Sequence, residues 1–254
     1  MPVEFPRVVG SDFAGVVTAV GDASVYVDGT PVRVGDEVLG WIESGSWREQ
    51  AVVSASCITP KPANLSWELA GGLSVAGQTA QACIDLMQPK AGDTVVVGAA
   101  AGAVGVIFCQ LAVAAGARVI GTASEANHAF LREIGVEPVT YGPGLADRLR
   151  ALTPDGITFV QDNWGREFID VALEIRVPAT KVCTIVDHGA TAELGLANPG
   201  RYERSAAKLG RLVQKVAAGE IVLPIERTFA LNQYREAFEL LEARHVRGKI
   251  VLLP

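Results

Sequence analysis

Three glycines carry the clearest chemistry in this sequence. Gly98, Gly102 and Gly105 follow the valine-rich run Thr94–Val97, and a backbone without Cβ atoms can turn sharply there and lie against a pyrophosphate. Ala99, Ala100, Ala101 and Ala103 keep the turn narrow. The segment from Val104 to Ala115 reads as a helix, whose first turn presents unpaired N–H groups and the positive end of the helix dipole, both suited to a phosphate. A second apolar run ends at Gly121. Thr94–Gly121 therefore reads as one βαβ unit, the context that gives such a glycine turn its meaning.

Asp187 and His188 are the candidates for proton chemistry. They follow a predicted strand, Lys181–Val186, and a histidine at such a place can act as a general acid or orient a carbonyl. The competing reading is a polar pair that caps the next turn. In an open α/β sheet the ligand lies outside the carboxyl ends of the strands. That rule brings the glycine turn, Ser124, Tyr141, Asn163 and Asp187-His188 to one edge. Trp41, Trp47 and Trp164 are either apolar walls of a site or core, and His128 and His245, on predicted helix surfaces or ends, take no role.

These groups need a frame, and 254 residues suffice for one large domain or two modest ones. With 49% hydrophobic and 20% charged residues the chain has ordinary globular composition. A net charge of −6 without a basic run argues against nucleic acid or an anionic membrane as a general partner. Cysteines 57, 83, 109 and 183 lack the paired spacing of zinc or redox motifs. They read as buried thiols in a reducing compartment. The opening stretch MPVEFPRVVG has neither the charged nor the apolar region of a leader. A cytoplasmic location is the expectation.

Phe13–Val20 and Ala51–Ile58 read as strands, Val32–Leu39 carries a Val-Gly-Asp-Glu-Val turn, and short strands joined by such turns suggest a small β-rich domain. Ser66 is placed to cap a helix whose apolar pattern runs from Leu69 to Leu86 past a soft Gly71-Gly72 break. After Gly121 the pattern alternates: helix Glu125–Ile134, strand Pro138–Tyr141, helix Leu145–Leu152, strand Ile157–Gln161, another helix, then Lys181–Val186. Alternation of this kind implies a parallel, doubly wound sheet. Tyr202–Ala218 reads as a surface helix, Gln233–Ala243 as another, and Lys249–Leu253 as a closing strand.

Several local patterns occur together along the chain. They are Gly10-Ser11-Asp12-Phe13-Ala14-Gly15, Val34-Gly35-Asp36-Glu37-Val38, Pro60-Lys61-Pro62-Ala63-Asn64-Leu65-Ser66 and Ala76-Gly77-Gln78-Thr79-Ala80. They continue with Ala99–Gly105, Gly121-Thr122-Ala123-Ser124 and His245-Val246-Arg247-Gly248-Lys249-Ile250-Val251. In this order and spacing they resemble the medium-chain dehydrogenase/reductase family, in its zinc-free quinone oxidoreductase and enoyl reductase branch. The resemblance implies an α/β fold with a doubly wound Rossmann sheet over 76–225 and a smaller, incomplete β-rich GroES-like domain over 1–75 plus 226–254. It implies NADPH as cofactor, with Thr79, Ala99, Gly102, Ala103, Val104, Gly105, Ser124, Asn127, Tyr141 and Asn163 as its binding residues. Asp187 and His188 remain the catalytic candidates.

Three departures qualify the resemblance. Ser11-Asp12 stands where zinc-dependent members have a His-Glu pair, and the four-cysteine structural zinc loop is lacking, so no metal is expected. The chain begins close to the Gly10 motif, without the strands that wall one side of the family's substrate cleft; a homodimer or a partner chain is expected to cover the gap. Thr122-Ala123-Ser124 follows Gly121 where NAD-preferring sites place an acid. That leaves room for a 2′-phosphate, with Ser124, Asn127 and Tyr141 as hydrogen-bond donors and Glu125 read as the start of a helix. Three functions stay open: an NADPH-dependent reductase of an activated C=C or a quinone, a redox-silent descendant that cyclises, dehydrates, isomerises or only binds, and a subunit completed by a second chain.

Overall fold

The computed structural model describes residues 8–200 and 204–254. These fall into two compact units, one of the residues up to Gln78 with those from Arg204 onward, the other from Thr79 to residue 200. The expected division lay at residues 75 and 226. The packing instead groups the helix at 206–217 with the first unit: the Leu212 side chain fills the space beside Gly77, and Thr59 approaches Gly210.

The first unit opens with an antiparallel sheet of β1 (Asp12–Val16), β2 (Glu37–Trp41) and β3 (Ile58–Pro60), in that order. Two of the expected strands are corrected here. Phe13–Val20 stops at Val16, because Val17 leaves the ladder for a turn in which its N–H donates to Asp36 O and its own carbonyl accepts from Gly35. Ala51–Ile58 is not a strand. Ser54 there caps a single 3₁₀ turn, Ala55–Cys57, and only Ile58 enters the sheet. Asp36, in the Val-Gly-Asp-Glu-Val turn, accepts from Arg33 N and from the Tyr26 hydroxyl, both at 2.8 Å. The Arg33 amide and then the Tyr26 hydroxyl hold its carboxyl below the ordinary value.

Helix α1 (Trp67–Met87) starts where Ser66 Oγ accepts from Leu69 N at 3.3 Å. It runs unbroken through Gly71-Gly72, against the expected soft break. These glycines serve close approach instead: a Cβ on Gly72 would meet the Lys249 side chain at 3.3 Å, and one on Gly77 would meet Leu212 at 2.0 Å.

The second unit is built as the alternation implied. Its elements are β4 (Thr94–Val97), α2 (Ala103–Ala114), β5 (Arg118–Ala123), α3 (His128–Glu133), β6 (Glu137–Thr140), α4 (Leu145–Leu152), β7 (Phe159–Asp162), α5 (Arg166–Glu174), β8 (Val182–Thr184) and α6 (His188–Leu194). The five strands are all parallel in the order β6-β5-β4-β7-β8, a Rossmann-type sheet. Val95, Val96 and Val97 are buried without alternation, as a central parallel strand covered on both faces must be. On one face Val96, Ile120, Val139 and Val160 pack with Leu145, Leu149, Phe168 and Ile169. The expected helix Glu125–Ile134 is split into a 3₁₀ turn, Glu125–Asn127, and the short α3.

The chain then returns to the first unit through α7 (Ala206–Ala217), β9 (Ile225–Ala230), α8 (Tyr234–Glu242) and β10 (Lys249–Leu253), with β9 and β10 paired in parallel. The expected surface helix Tyr202–Ala218 is shorter and half buried: Leu209, Leu212, Val213 and Val216 form its inner stripe. Tyr202 lies outside the described residues. Asp12 joins the first and last motifs of this unit. Its carboxylate accepts from Val75 N and, at 2.8 Å, from Lys249 Nζ, with both side chains mostly buried. The expectation of four buried thiols holds for Cys83, Cys109 and Cys183; Cys57 is only partly covered, because it ends an exposed turn.

Candidate functional site

The turn between β4 and α2 divides labour among its glycines. A Cβ on Gly98 would strike the Phe168 ring at 2.6 Å, one on Gly105 would strike Ala99 O at 2.4 Å, and one on Gly121 would strike Ala100 Cβ at 2.6 Å. These three are required for packing. Gly102 differs: its Cβ would meet only Ala99 O, at 3.3 Å, and would otherwise point into open space. Gly102 is also the N-cap of α2, where no side chain accepts a hydrogen bond. The first helical bond is Val106 N to Gly102 O, so the amides of Ala103, Val104 and Gly105 precede the internal ladder.

Strand β5 holds the turn in shape. Ala99 takes a left-handed φ of 49°, unusual for a residue with a Cβ. Its N–H donates to Thr122 Oγ1 at 3.1 Å, and Ala100 N donates to Thr122 O at 3.0 Å. The sequence offered no signal for the strain at Ala99 or for this duty of Thr122. Asn163, expected among the cofactor-binding residues, is a brace: its amide donates to Gly98 O at 2.9 Å and accepts from Gln161 at 2.9 Å. Gln161 is fully buried, and its Oε1 has no hydrogen-bond partner among the described residues.

The loop after β7 is fixed by Asp162. One carboxylate oxygen accepts from Trp164 N and Gly165 N at 2.9 Å, and the other from the Thr184 hydroxyl at 2.7 Å. Burial pushes this carboxyl above its ordinary value although all three donors pull the other way. An Asp two and three residues before its donors is the Asx-turn pattern, the signal by which Asp162 could have been found. The loop after β6 is held by Arg148, whose guanidinium donates to the carbonyls of Thr140, at 2.8 and 3.1 Å, and of Pro143, at 2.9 Å. These two loops carry Trp164 and Tyr141, whose rings stack at a centroid distance of 6.2 Å.

The remaining expected residues divide. Ser124 follows β5 and accepts from Asn127 Nδ2 at 3.3 Å, while Glu125 is exposed at the start of the 3₁₀ turn. Thr79 is buried in α1. Asp187 caps α6, its carboxylate accepting from Ala190 N at 2.8 Å, and the exposed His188 lies with Nδ1 3.4 Å from the Asn198 amide. Trp41, the last residue of β2, is buried, and Trp47 meets the Phe238 ring at 5.1 Å. Also in the first unit, Val9, Trp47, Leu231, Tyr234 and Pro254 help line an open pocket of about 560 Å³; of the residues weighed from the sequence only Trp47 borders it.

In an alignment of 274 positions the chain is 30% identical to a quinone oxidoreductase of Pseudomonas aeruginosa, covering 98% of this chain and 82% of that protein. The chain belongs to the quinone oxidoreductase family of medium-chain dehydrogenases/reductases. With that family it is an oxidoreductase of the quinone and enoyl reductase type. A phenolphthiocerol/phthiocerol polyketide synthase subunit of Mycobacterium tuberculosis is also 30% identical over 96% of this chain, which spans 12% of that much longer protein. A mycobacterial structure solved in complex with NADPH matches all of this chain and 84% of its own, at 29% identity and a TM-score of 0.84.

The family profile that matches residues 134–252 is described as zinc-binding dehydrogenase. The described side chains do not fit a zinc ion. Among the described residues no three His, Cys, Asp or Glu side chains cluster as ligands. At the position of the metal-binding pair, Ser11 donates to Glu43 O and both oxygens of Asp12 are engaged by Val75 and Lys249. A dinucleotide does fit: the space a Cβ on Gly102 would enter lies beside the uncapped start of α2, the arrangement that receives a pyrophosphate. Among the described residues no helix is long and apolar enough to cross a membrane.

Proposed function

We propose that this chain is an NADPH-dependent reductase that delivers hydride to an activated C=C or a quinone. The observation that carries the reading is the turn at Gly102, open where a side chain would otherwise stand and backed by three amides outside the helical ladder. Ala99, Gly102, Ala103, Val104 and Gly105 line the pyrophosphate in this reading, and Thr79 on α1 faces the nicotinamide half. Ser124, Asn127 and Tyr141 take the adenosine end, where Thr122-Ala123-Ser124 holds no acid at the end of β5, which favours a 2′-phosphate. Asn163 acts indirectly, holding the turn through Gly98 O.

When bound, the dihydronicotinamide supplies the hydride, chemistry that no side chain provides. The chain's own part is to bind, orient and exclude water, which turns a bimolecular encounter into a positioned one. The unit from Thr79 onward holds the dinucleotide, and the unit with β1–β3 and β9–β10 takes the small-molecule substrate. The reaction proceeds without zinc, a reading supported by the donor set around Asp12.

The test is calorimetric titration with NADPH and NADH, followed by cofactor oxidation with a panel of quinones and conjugated enones. The expected outcome is saturable binding that favours NADPH, with turnover only when an acceptor is supplied and no loss on chelation. Failure to bind NADPH would overturn the reading.

A further inference from the structure

We propose that Cys83 and Cys183 form an internal disulfide when the protein meets a peroxide, a crosslink that fastens α1 to the edge of the parallel sheet. Both side chains are fully buried, and the Cys183 thiol donates to Cys83 Sγ at 4.0 Å. A disulfide holds its sulfurs about 2 Å apart, which leaves each sulfur about 1 Å to travel. Each sits on a side chain with one rotatable bond between backbone and sulfur. The inference stands apart from the cofactor reading.

The places of the two residues in the fold give the crosslink its effect. Cys83 lies in the part of α1 that packs with the second unit, and Cys183 is the middle residue of β8. Strand β8 is the last of the sheet and only three residues long; β7 pairs with one side of it, and a single bridge from Cys183 to Ala197 lies on the other. An edge strand held so lightly is among the first parts of a sheet to open. The bond closes a loop of about 100 residues, and stabilisation by a crosslink grows with the loop it closes. It also fixes the neighbour of Thr184, whose hydroxyl donates to Asp162 and so helps to hold the loop that carries Trp164.

The step balances with the peroxide as oxidant. One sulfur, as its thiolate, attacks the peroxide: an S–O bond forms, the O–O bond breaks, and a sulfenic acid is left with water or an alcohol as the other product. The second sulfur then displaces the sulfenic oxygen, so that the S–S bond forms and water leaves. Two electrons pass from the sulfurs to the peroxide, and both thiol protons end on the oxygen products. The reaction is slow, because the hydrogen bond to Cys83 and then burial disfavour the Cys183 thiolate, and the oxidant reaches the pair only as the unit opens. Reduction is slow for a related reason, since an outside thiolate must reach a buried sulfur. The crosslink acts as a latch that sets and releases slowly.

The experiment treats the full chain with hydrogen peroxide well below its thermal transition, with and without low urea to speed opening. Remaining thiols are blocked with N-ethylmaleimide in denaturant, and the digest is mapped by mass spectrometry before and after reduction. The expected result is a peptide pair joined through Cys83 and Cys183, formed faster in low urea, and a thermal transition raised by roughly 4–16 °C. Long incubation with dithiothreitol should remove both. Cys57→Ser should keep the link and the rise, whereas Cys83→Ala and Cys183→Ala should lose them, each variant being compared with its own untreated transition. Recovery of Cys83 and Cys183 as free thiols or sulfinic acids after the urea treatment, or linked to Cys109 instead, would overturn the proposal. So would a linked chain whose transition does not rise. Because the link is sought in the unsubstituted chain, a variant that fails to fold leaves the test intact.

Discussion

The carboxyl ends of β4 and β8 both present polar groups ahead of a helix, and the structure spends them differently. After β4 the helix begins at a glycine, no side chain caps it, and its first amides stay available. After β8 the Asp187 carboxylate is already committed to Ala190 N, and α6 starts with its cap in place. The difference teaches that residue type alone does not make a site. A group is free for chemistry only where local structure has not used it first, and glycine at an N-cap position leaves the helix end unspent.

The largest contrast to test lies within the β4 turn itself. Gly105→Val should abolish folding of the second unit, since its Cβ would stand 2.4 Å from a backbone oxygen that cannot retreat. Gly102→Leu should fold, with a melting temperature near that of the unsubstituted chain, yet bind NADPH at least about a hundredfold more weakly. Thermal melting paired with calorimetry separates the two, and a Gly102→Leu variant that binds normally would remove the turn from the site.

A smaller effect is expected at the strand that braces the turn. Thr122→Val keeps the shape of a buried side chain but removes the acceptor for Ala99 N. The lost partner should cost roughly 1–3 kcal/mol in denaturant unfolding, with cofactor affinity falling as well because Ala99 no longer holds its left-handed conformation. The smallest effect belongs to β8. Asp187→Ala should cost about 1 kcal/mol, the value of a helix cap, and His188→Ala should leave kcat within a few-fold. A fall of a hundredfold or more in kcat with KM unchanged would instead give the pair the acid–base role that its position first suggested.

Much of this was readable in the sequence, and the failures share one cause. Helix Leu145–Leu152 and strands Thr94–Val97 and Lys249–Leu253 have the expected bounds, because their apolar periodicity and flanking glycines are local signals. Ala51–Ile58 looked like a strand by composition but has no neighbour to pair with before Ile58. Strand β9 gave no signal, since Ile225–Ala230 carries Glu226, Arg227 and Thr228 and is ordered by pairing with β10, some twenty residues later. The site followed the same rule. Gly102 could be found from its spacing, whereas the inward bonds of Asn163 and the support from Thr122 and Asp162 depend on partners that only the folded sheet brings near.

The distribution of sulfur has a consequence for how the protein ages. Cys83 and Cys183 sit 4.0 Å apart as thiols in the interior of the second unit, and Cys109 is enclosed in α2. Burial raises the energy of the thiolate at Cys109, and the hydrogen bond to Cys83 followed by burial does so at Cys183. Since the thiolate is the reactive form, alkylating and oxidising agents meet Cys57 first and reach the other three only when the unit opens. The chemical lifetime of these three residues is therefore governed by the opening of the sheet and its covering helices, and the reactivity of sulfur itself has little part in it.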